Sequence, residues 1–352
     1  MMPCSMKLSI LDQSPIISGH SAAQAIEETL KLARRADELG YTRYWLAEHH
    51  AIGALADPCP EILLARLGAE TKRIRIGTGG VLLPYYSAFK IAEVFRMLEA
   101  LYPGRIDLGI GRAPGGDQRT ARAVGGGHFP DAEQFPQQVW ELIGYLDGTL
   151  PEDHPNRKLR VQPEGPPVRQ AGQMAPELWL LGSSDYSGLL AAQLGVRFSF
   201  AHFINAHGGE AVTRAYKERF QARTADSEGP APRETAPRAA VCCFVICAAS
   251  DAEAERLAKV VDSRRLDMAY NLDTPVPTQA QAEKRTFNAE ERAHIQSQRA
   301  RLVHGSAATC REKLLKIAAQ FSADELMVLT ITGDYATRLD SYERLARAFE
   351  LN

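Results

Sequence analysis

The chain has 352 residues, of which 45% are hydrophobic, and its formal net charge at pH 7 is −2. This hydrophobic content is enough to build a large buried core. The near-neutral charge gives no electrostatic reason to expect a nucleic acid or a membrane surface as a partner, and no segment has the apolar length of a membrane span. The amino terminus lacks the pattern of a secretory signal, so we expect a cytoplasmic protein.

The six cysteines are few and scattered, which is typical of reduced thiols and not of a disulfide framework. Cys243 and Cys247 lie in an apolar run with no histidine nearby. Zinc sites prefer closer cysteine pairs with a second set of ligands. We therefore predict no metal site.

Apolar runs and helical periodicities alternate along the whole chain. The runs predict eight strands, at residues 7–11, 44–47, 74–76, 106–110, 178–181, 197–201, 239–247 and 326–329. Helices are predicted at 22–39, 60–70, 88–101, 132–146, 187–194, 210–223, 252–268 and 310–321, with a closing helix at 337–350. The strands are too apolar to have one wet face, which indicates a parallel sheet covered by helices. Eight repeats favour an α/β fold closed into one (β/α)8 TIM barrel domain over residues 1–352, and not an open doubly wound sheet.

Two segments do not fit the repeat. Residues 113–173 follow the fourth predicted strand, are rich in glycine and proline, and contain one amphipathic helix. Residues 271–298 are polar, carry two prolines and follow the helix after the seventh strand. Loops this long in a compact domain usually cover a site or are disordered. We interpret both as insertions that cover the substrate, with disorder as the alternative for 271–298, and we interpret 227–237 as a solvated linker.

Glu48, His49 and His50 directly follow the second predicted strand. Active sites of barrels lie at the carboxyl ends of the strands, and histidine is the side chain most easily used as an acid or base near neutral pH. This placement makes the three residues candidates for catalysis. The alternative is a histidine that is simply packed and hydrogen-bonded in the core.

The third predicted strand enters a glycine turn that contains Gly79 and Gly80. Glycines at such a place allow a sharp turn or the close approach of a flat ligand. The fourth strand ends at Arg112, whose guanidinium can make charge-assisted contacts to a phosphate.

A strand, a polar turn and the first turn of a helix follow one another in the segment LGSSDYSG, at residues 181–188. The free backbone N–H groups of a helix start suit an oxyanion, and Ser184 and Ser187 can add hydroxyl donors beside Ser183. Plain N-capping of the helix is the alternative. Together with Arg112, the turn is typical of a phosphate site.

Five segments carry a family resemblance: AEHH, RIGTGGVLLPYYSAFKIAE, LGIGRAPG, LGSSDYSGLLAAQLG and VHGSAATCREKLLKIAAQFSADELMVL. Through them the chain resembles the bacterial luciferase-like flavin-dependent monooxygenases over nearly its whole length. The resemblance implies a (β/α)8 barrel with FMN in its mouth. His49 matches the family's catalytic histidine, with Glu48 and His50 around it. The FMN phosphate would be held by Arg112, Ser184, Ser187 and the backbone of Ser183, and Gly79 and Gly80 match a pair joined by a cis peptide under the flavin ring.

The resemblance also implies the reaction. Reduced FMN and O2 would oxidise a small organic substrate such as an aldehyde, ketone or sulfonate. No G-x-G-x-x-G fingerprint follows a strand, so a separate NAD(P)H:flavin reductase would supply the reduced flavin, and the family implies a homodimer. Light-emitting relatives carry a cysteine where this chain has Gly111, which argues against light emission. Two alternatives stay open: hydride transfer with F420 or FMN but without oxygen insertion, and a non-catalytic flavin-binding protein.

Overall fold

The protein is described by a computed structural model that covers residues 6–112, 117–164 and 176–351. The strands in this part of the chain are β1 (Lys7–Asp12), β2 (Arg43–Leu46), β3 (Arg75–Leu82), β4 (Ile106–Gly111), β5 (Glu177–Gly182), β6 (Arg197–Ala201), β7 (Ala239–Ala248), β8 (Leu302–Ser306) and β9 (Glu325–Leu329). The helices are α1 (Ala22–Glu38), α2 (Pro60–Glu70), α3 (Ala88–Leu101), α4 (Gln118–Val124), α5 (Phe135–Asp147), α6 (Asp185–Gln193), α7 (Gly209–Glu218), α8 (Asp251–Ala269), α9 (Gln279–Lys284), α10 (Ala289–Gln298), α11 (Ala307–Gln320) and α12 (Tyr335–Ala348).

Eight parallel strands close into a barrel. Strands β1 to β7 pair in chain order, β7 pairs with β9, and β9 returns to β1. Helices flank the ring, so the predicted (β/α)8 TIM barrel is confirmed. Each strand alternates between two environments. In β2, Tyr44 and Leu46 face the helices, whereas Trp45 points into the barrel.

Strand β8 was not predicted. The first half of β7 lies between β6 and β9, and its second half, from Phe244 to Ala248, extends past the end of β6 and pairs with β8. The β8 sequence, LVHGS, is too short and too polar to stand out as an apolar run. The prediction of eight strands therefore counted the barrel correctly and missed this addition.

The segment 271–298 contains α9 and α10. The Val276 N–H donates to the Ile16 carbonyl at 2.8 Å, and the Gly53 N–H donates to Asp273 Oδ1 at 2.5 Å. These contacts join the start of the segment to the loops after β1 and β2. The covering role of the segment stays a prediction.

The other long segment, 113–173, contains α4 as well as the predicted helix, which is α5. Residues 113–116 and 165–173 lie outside the described residues. The prediction of a solvated linker at 227–237 is wrong for Arg233, which is fully buried and donates to both carboxylate oxygens of Asp147 at 2.9 and 3.1 Å. Over the described ranges, no helix has the length and apolar character needed to cross a membrane.

Arg43 is the centre of an ionic cluster that fills the amino-terminal end of the barrel. It is only 4% exposed, and it pairs with Asp107 at 2.6 Å, Glu325 at 2.7 Å and Glu177 at 3.1 Å. The strands contribute three arginines and three carboxylates to this cluster: Arg43, Arg75, Arg197, Asp107, Glu177 and Glu325. Burial acts to raise the pKa of Glu177, but the surrounding arginines lower it to about 2.

Replacing Arg43 with methionine removes the central cation and leaves Asp107 and Glu325 buried without it. We expect the free energy of unfolding to fall by about 3–5 kcal/mol, as for other buried pairs that lose one partner. Urea denaturation at pH 7 measures this loss. The control is Arg66→Met, which breaks the exposed pair between Arg66 and Glu70 and should change stability by less than about 1 kcal/mol. Equal losses in the two variants would contradict the structural role of Arg43.

Candidate active site

A cavity of about 290 Å³ opens at the carboxyl ends of the barrel strands. Its lining includes every predicted site residue except His50: Glu48, His49, Gly79, Gly80, Arg112, Ser183, Ser184 and Ser187. Residues from four different strand exits thus meet in one place. This is the location that the barrel fold favours for chemistry.

Glu48 is buried and fixes the loop that carries the histidines. Its carboxylate accepts hydrogen bonds from the Leu82 N–H at 2.8 Å, from the Tyr86 hydroxyl at 2.6 Å and from His50 Nε2 at 2.7 Å. These contacts tie the exit of β2 to the exit of β3. Glu48 and His50 therefore position the site. Tyr86 is a further part of it that the sequence analysis missed, since nothing in PYYS singles out one tyrosine.

His49 lines the cavity with an imidazole that is neutral at pH 7. Burial lowers the pKa of His49 to about 4; the backbone of Ala47 opposes this effect and the neighbouring His50 adds to it. In the described part of the chain, the buried Nδ1 atom has no hydrogen-bond partner.

Gly79 and Gly80 lie in the wall of the cavity and are joined by a cis peptide bond. A Cβ atom on Gly79 would lie 2.5 Å from Leu11 Cδ1, and one on Gly80 would lie 2.6 Å from the Gly109 carbonyl oxygen. The packing of the wall therefore requires glycine at position 80, whereas a side chain at position 79 would displace the end of the Leu11 side chain. Bare backbone lines this part of the cavity, which leaves room for a flat ligand.

Arg112 follows β4 and has no carboxylate partner among the described residues. Its guanidinium carbon lies 4.1 Å from the centroid of the Tyr186 ring. On the same wall, Ser184 occupies the N-cap position of α6, but its side chain makes no capping hydrogen bond. The alternative of plain N-capping is thus wrong for Ser184.

Ser187 lies in the first turn of α6 and is 6% exposed, with its hydroxyl against Gly182. The wall therefore combines a cation without an acidic partner, an uncommitted hydroxyl and the N–H groups of a helix start. These donors fit a phosphate group, and the glycine wall beside them fits the flat ring of a flavin. Across the described ranges, no cluster of histidine, cysteine and acidic side chains could hold a metal ion.

Trp45 lines the cavity and packs against Trp179, and the sequence analysis selected neither tryptophan. Trp45 and Trp179 meet edge to face, with ring centroids 5.4 Å apart, and Trp45 Nε1 donates to Asp107 at 2.9 Å. The tryptophans lie directly above the ionic cluster. The period-2 pattern of the strands RYWL and ELWLLG could have indicated that both side chains point inward.

Comparisons with known proteins agree with this architecture. The sequence model of the family described as luciferase-like monooxygenase matches residues 6–325. The protein YwcH of Bacillus subtilis, which is uncharacterized, is 42% identical over 98% of this chain and 99% of its own. The N-acetyl-S-alkylcysteine monooxygenase of Bacillus subtilis is 34% identical over 97% of this chain and 98% of its own.

Among solved structures, apo-MsnO8 is 36% identical with a TM-score of 0.84, and the match covers 99% of each chain. Two more distant structures share the fold alone. One is the oxygenating component of 3,6-diketocamphane monooxygenase from Pseudomonas putida in complex with FMN (TM-score 0.67, 20% identity), and the other is an F420-dependent secondary alcohol dehydrogenase (TM-score 0.62, 13% identity). With the family match over nearly its whole length, the chain belongs to the luciferase-like monooxygenase family.

Proposed function

We propose that the protein is a monooxygenase that uses reduced FMN and O2. One oxygen atom enters a small organic substrate and the other leaves as water, and reduced FMN supplies the two electrons. The observation that carries this proposal is the wall beside His49, where Arg112 has no carboxylate partner within the described part of the chain and Ser184 makes no capping bond. Such a wall suits the phosphate group of FMN. The sequence has no nucleotide-binding G-x-G-x-x-G fingerprint after a predicted strand.

The residues of the cavity would have separate roles. Arg112, Ser184, Ser187 and the Ser183 backbone hold the phosphate, while Gly79 and Gly80 lie against the ring. When bound, FMN supplies the redox chemistry, and the protein supplies placement and electrostatics. His49, neutral at pH 7, can take up a proton at its imidazole and release it again. Apolar side chains such as Leu181 and Met327 keep water out of the cavity.

The partners follow from the same proposal. Reduced FMN would come from a separate NAD(P)H:flavin reductase, because no G-x-G-x-x-G fingerprint follows a predicted strand in the sequence. We propose a cytoplasmic homodimer. The substrate class includes aldehydes, ketones and sulfonates, and the B. subtilis relative that acts on N-acetyl-S-alkylcysteine adds thioethers to this class.

Arg112→Gln tests the phosphate site. We expect this variant to bind FMN about 10–100-fold more weakly, the value of charge-assisted hydrogen bonds to one group. Riboflavin, which has no phosphate, should bind the variant and the wild type equally. Fluorescence titration with both flavins measures the difference. An equal loss for riboflavin would place Arg112 outside the phosphate site, and selective binding of reduced F420 without oxygen consumption would replace oxygenation by hydride transfer.

His49→Gln tests catalysis. The variant should bind FMN as the wild type does, while oxygenation slows by about 10²–10⁴-fold, the usual contribution of an acid–base group. The assay mixes the reduced-FMN complex rapidly with O2 and follows absorbance, oxygen consumption and a mass gain of one oxygen in a panel of thioethers, aldehydes and ketones. The matched control is His128→Gln, at an exposed position. Unchanged rates in His49→Gln would remove His49 from the mechanism.

The protonation of His49 can be followed directly. The folded-state pKa of about 4 lies below the ordinary value of 6.5, so the unfolded chain binds this proton more readily. The contribution of His49 to stability is therefore complete above pH 6.5 and is lost as the pH falls towards 4. NMR of the imidazole nitrogens, assigned with His49→Gln, should give a midpoint near 4. A midpoint above 6 would contradict the effect of burial.

A further inference from the structure

A second pair of cationic side chains, Arg265 and Arg301, lies beside the cavity, next to its lining residue Ile204. Arg301 ends the short 3-10 helix before β8, and its Nη1 atom donates to the Ile204 carbonyl at 2.9 Å. Ile204 lines the cavity and is 52% exposed. Arg265, in the second half of α8, stacks on Phe244 with its guanidinium carbon 5.6 Å from the ring centroid.

Neither of these half-buried arginines has a carboxylate partner among the described residues. Arg265 donates to the Gln298 carbonyl at 2.7 Å, so each guanidinium makes one hydrogen bond to a backbone oxygen and keeps other donors free. Burial and the repulsion from Arg301 lower the pKa of Arg265 to about 10, while the nearby Asp262 carboxylate acts in the opposite direction. Arg265 is therefore charged at pH 7 and close enough to Arg301 to be repelled by it.

The neighbouring Arg299, in contrast, is paired with two carboxylates. Its guanidinium contacts both oxygens of Asp262 at 2.8 and 2.6 Å and both oxygens of Glu255 at 3.1 and 3.0 Å. Glu255 also contacts His304 Nε2 at 2.8 Å. The acids of this region are thus committed to Arg299 and His304. Asp262 also lies near Arg265, but its two oxygens bind Arg299, so neither Arg265 nor Arg301 forms an ion pair with a described residue.

Two adjacent, partly desolvated cations are unfavourable unless an anion joins them. The phosphate site, with its own cation Arg112, is built on β4 and α6, at other strand exits. We propose that Arg265 and Arg301 bind the carboxylate of an anionic substrate and hold its uncharged end over the cavity. This inference rests on the proposed function, because it assigns a substrate class to the same cavity. It adds two residues that determine specificity.

The experiment compares matched ligands on the FMN-loaded protein. The probes are N-acetyl-S-methylcysteine, N-acetyl-S-butylcysteine and N-acetyl-S-benzylcysteine, each as the free carboxylate and as the primary amide. In calorimetric titrations at pH 7, the wild type should prefer the acid of at least one pair by about tenfold or more, as expected for charge-assisted hydrogen bonds. Arg265→Gln and Arg301→Gln should each reduce this preference to less than about threefold by the same reasoning. The glutamine side chain keeps a donor for the backbone carbonyl in each case.

The control variant is Arg292→Gln, which removes an exposed charge from α10 and should leave the acid preference unchanged. FMN titration separates this inference from the proposed function. Both arginine variants should keep the FMN affinity that Arg112→Gln loses. Equal binding of acid and amide, or no saturable binding of any acid, overturns the proposal. A loss of FMN affinity in Arg301→Gln also overturns it, because the charge would then belong to the phosphate site. Failure of the wild type to bind FMN overturns the monooxygenase proposal and this inference with it, whereas equal binding of acid and amide by the FMN-loaded protein overturns this inference alone.

Discussion

The ionic cluster around Arg43 is the constraint on which the rest of the barrel depends. A guanidinium that is 4% exposed is tolerated inside a protein only when carboxylates neutralise it and accept its hydrogen bonds. Asp107, Glu177 and Glu325 provide these partners from β4, β5 and β9, which are brought together only when the sheet closes. A shift of one strand by one residue would turn its charge outward, so the cluster fixes the register of the barrel. It also closes the amino-terminal end, which leaves one open mouth.

The cavity above the cluster results from how the inward-facing residues change along each strand. In β3 the inward series is Arg75, Gly77, Gly79; in β4 it is Asp107, Gly109, Gly111; in β2 and just beyond it is Arg43, Trp45, Ala47. Charged residues therefore form the base, tryptophans the middle layer, and small residues the top. Because inward side chains normally fill a barrel of eight strands, the small residues at the top are what create space for a ligand. The same alternation thus encodes both stability and the site.

The sequence predicted those features that depend on local patterns. Apolar runs located the barrel strands, and the residues directly after them, from His49 to Ser187, lie around one cavity because parallel strands bring their carboxyl ends together. Features that depend on distant partners were missed. Arg43 and Glu325 are 282 positions apart, and Arg233 lies in a stretch of linker-like composition although Asp147 binds it in the core. Strand β8 was missed because it pairs with the part of β7 that leaves the barrel.

The arginines discussed above fall into two groups, those paired with carboxylates in the folded scaffold and those near the cavity that form no ion pair with a described residue. Arg43 and Arg233 are buried, each is paired with carboxylates, and both belong to the folded scaffold. Arg112 lies at the mouth, and Arg265 and Arg301 lie beside it. Among the described residues, these three arginines contact aromatic rings or backbone carbonyls and form no ion pair. Folding alone gives no reason to leave a cation half desolvated and without a counterion, since the desolvation cost is not returned. The binding of an anionic ligand would neutralise these cations and account for their presence. One of these places lies at the exits of β4 and β5, and the other lies on α8 and the 3-10 helix before β8. Together they would hold two anionic groups at a fixed separation beside the cavity that His49 lines, and this separation would orient one bound molecule relative to the other.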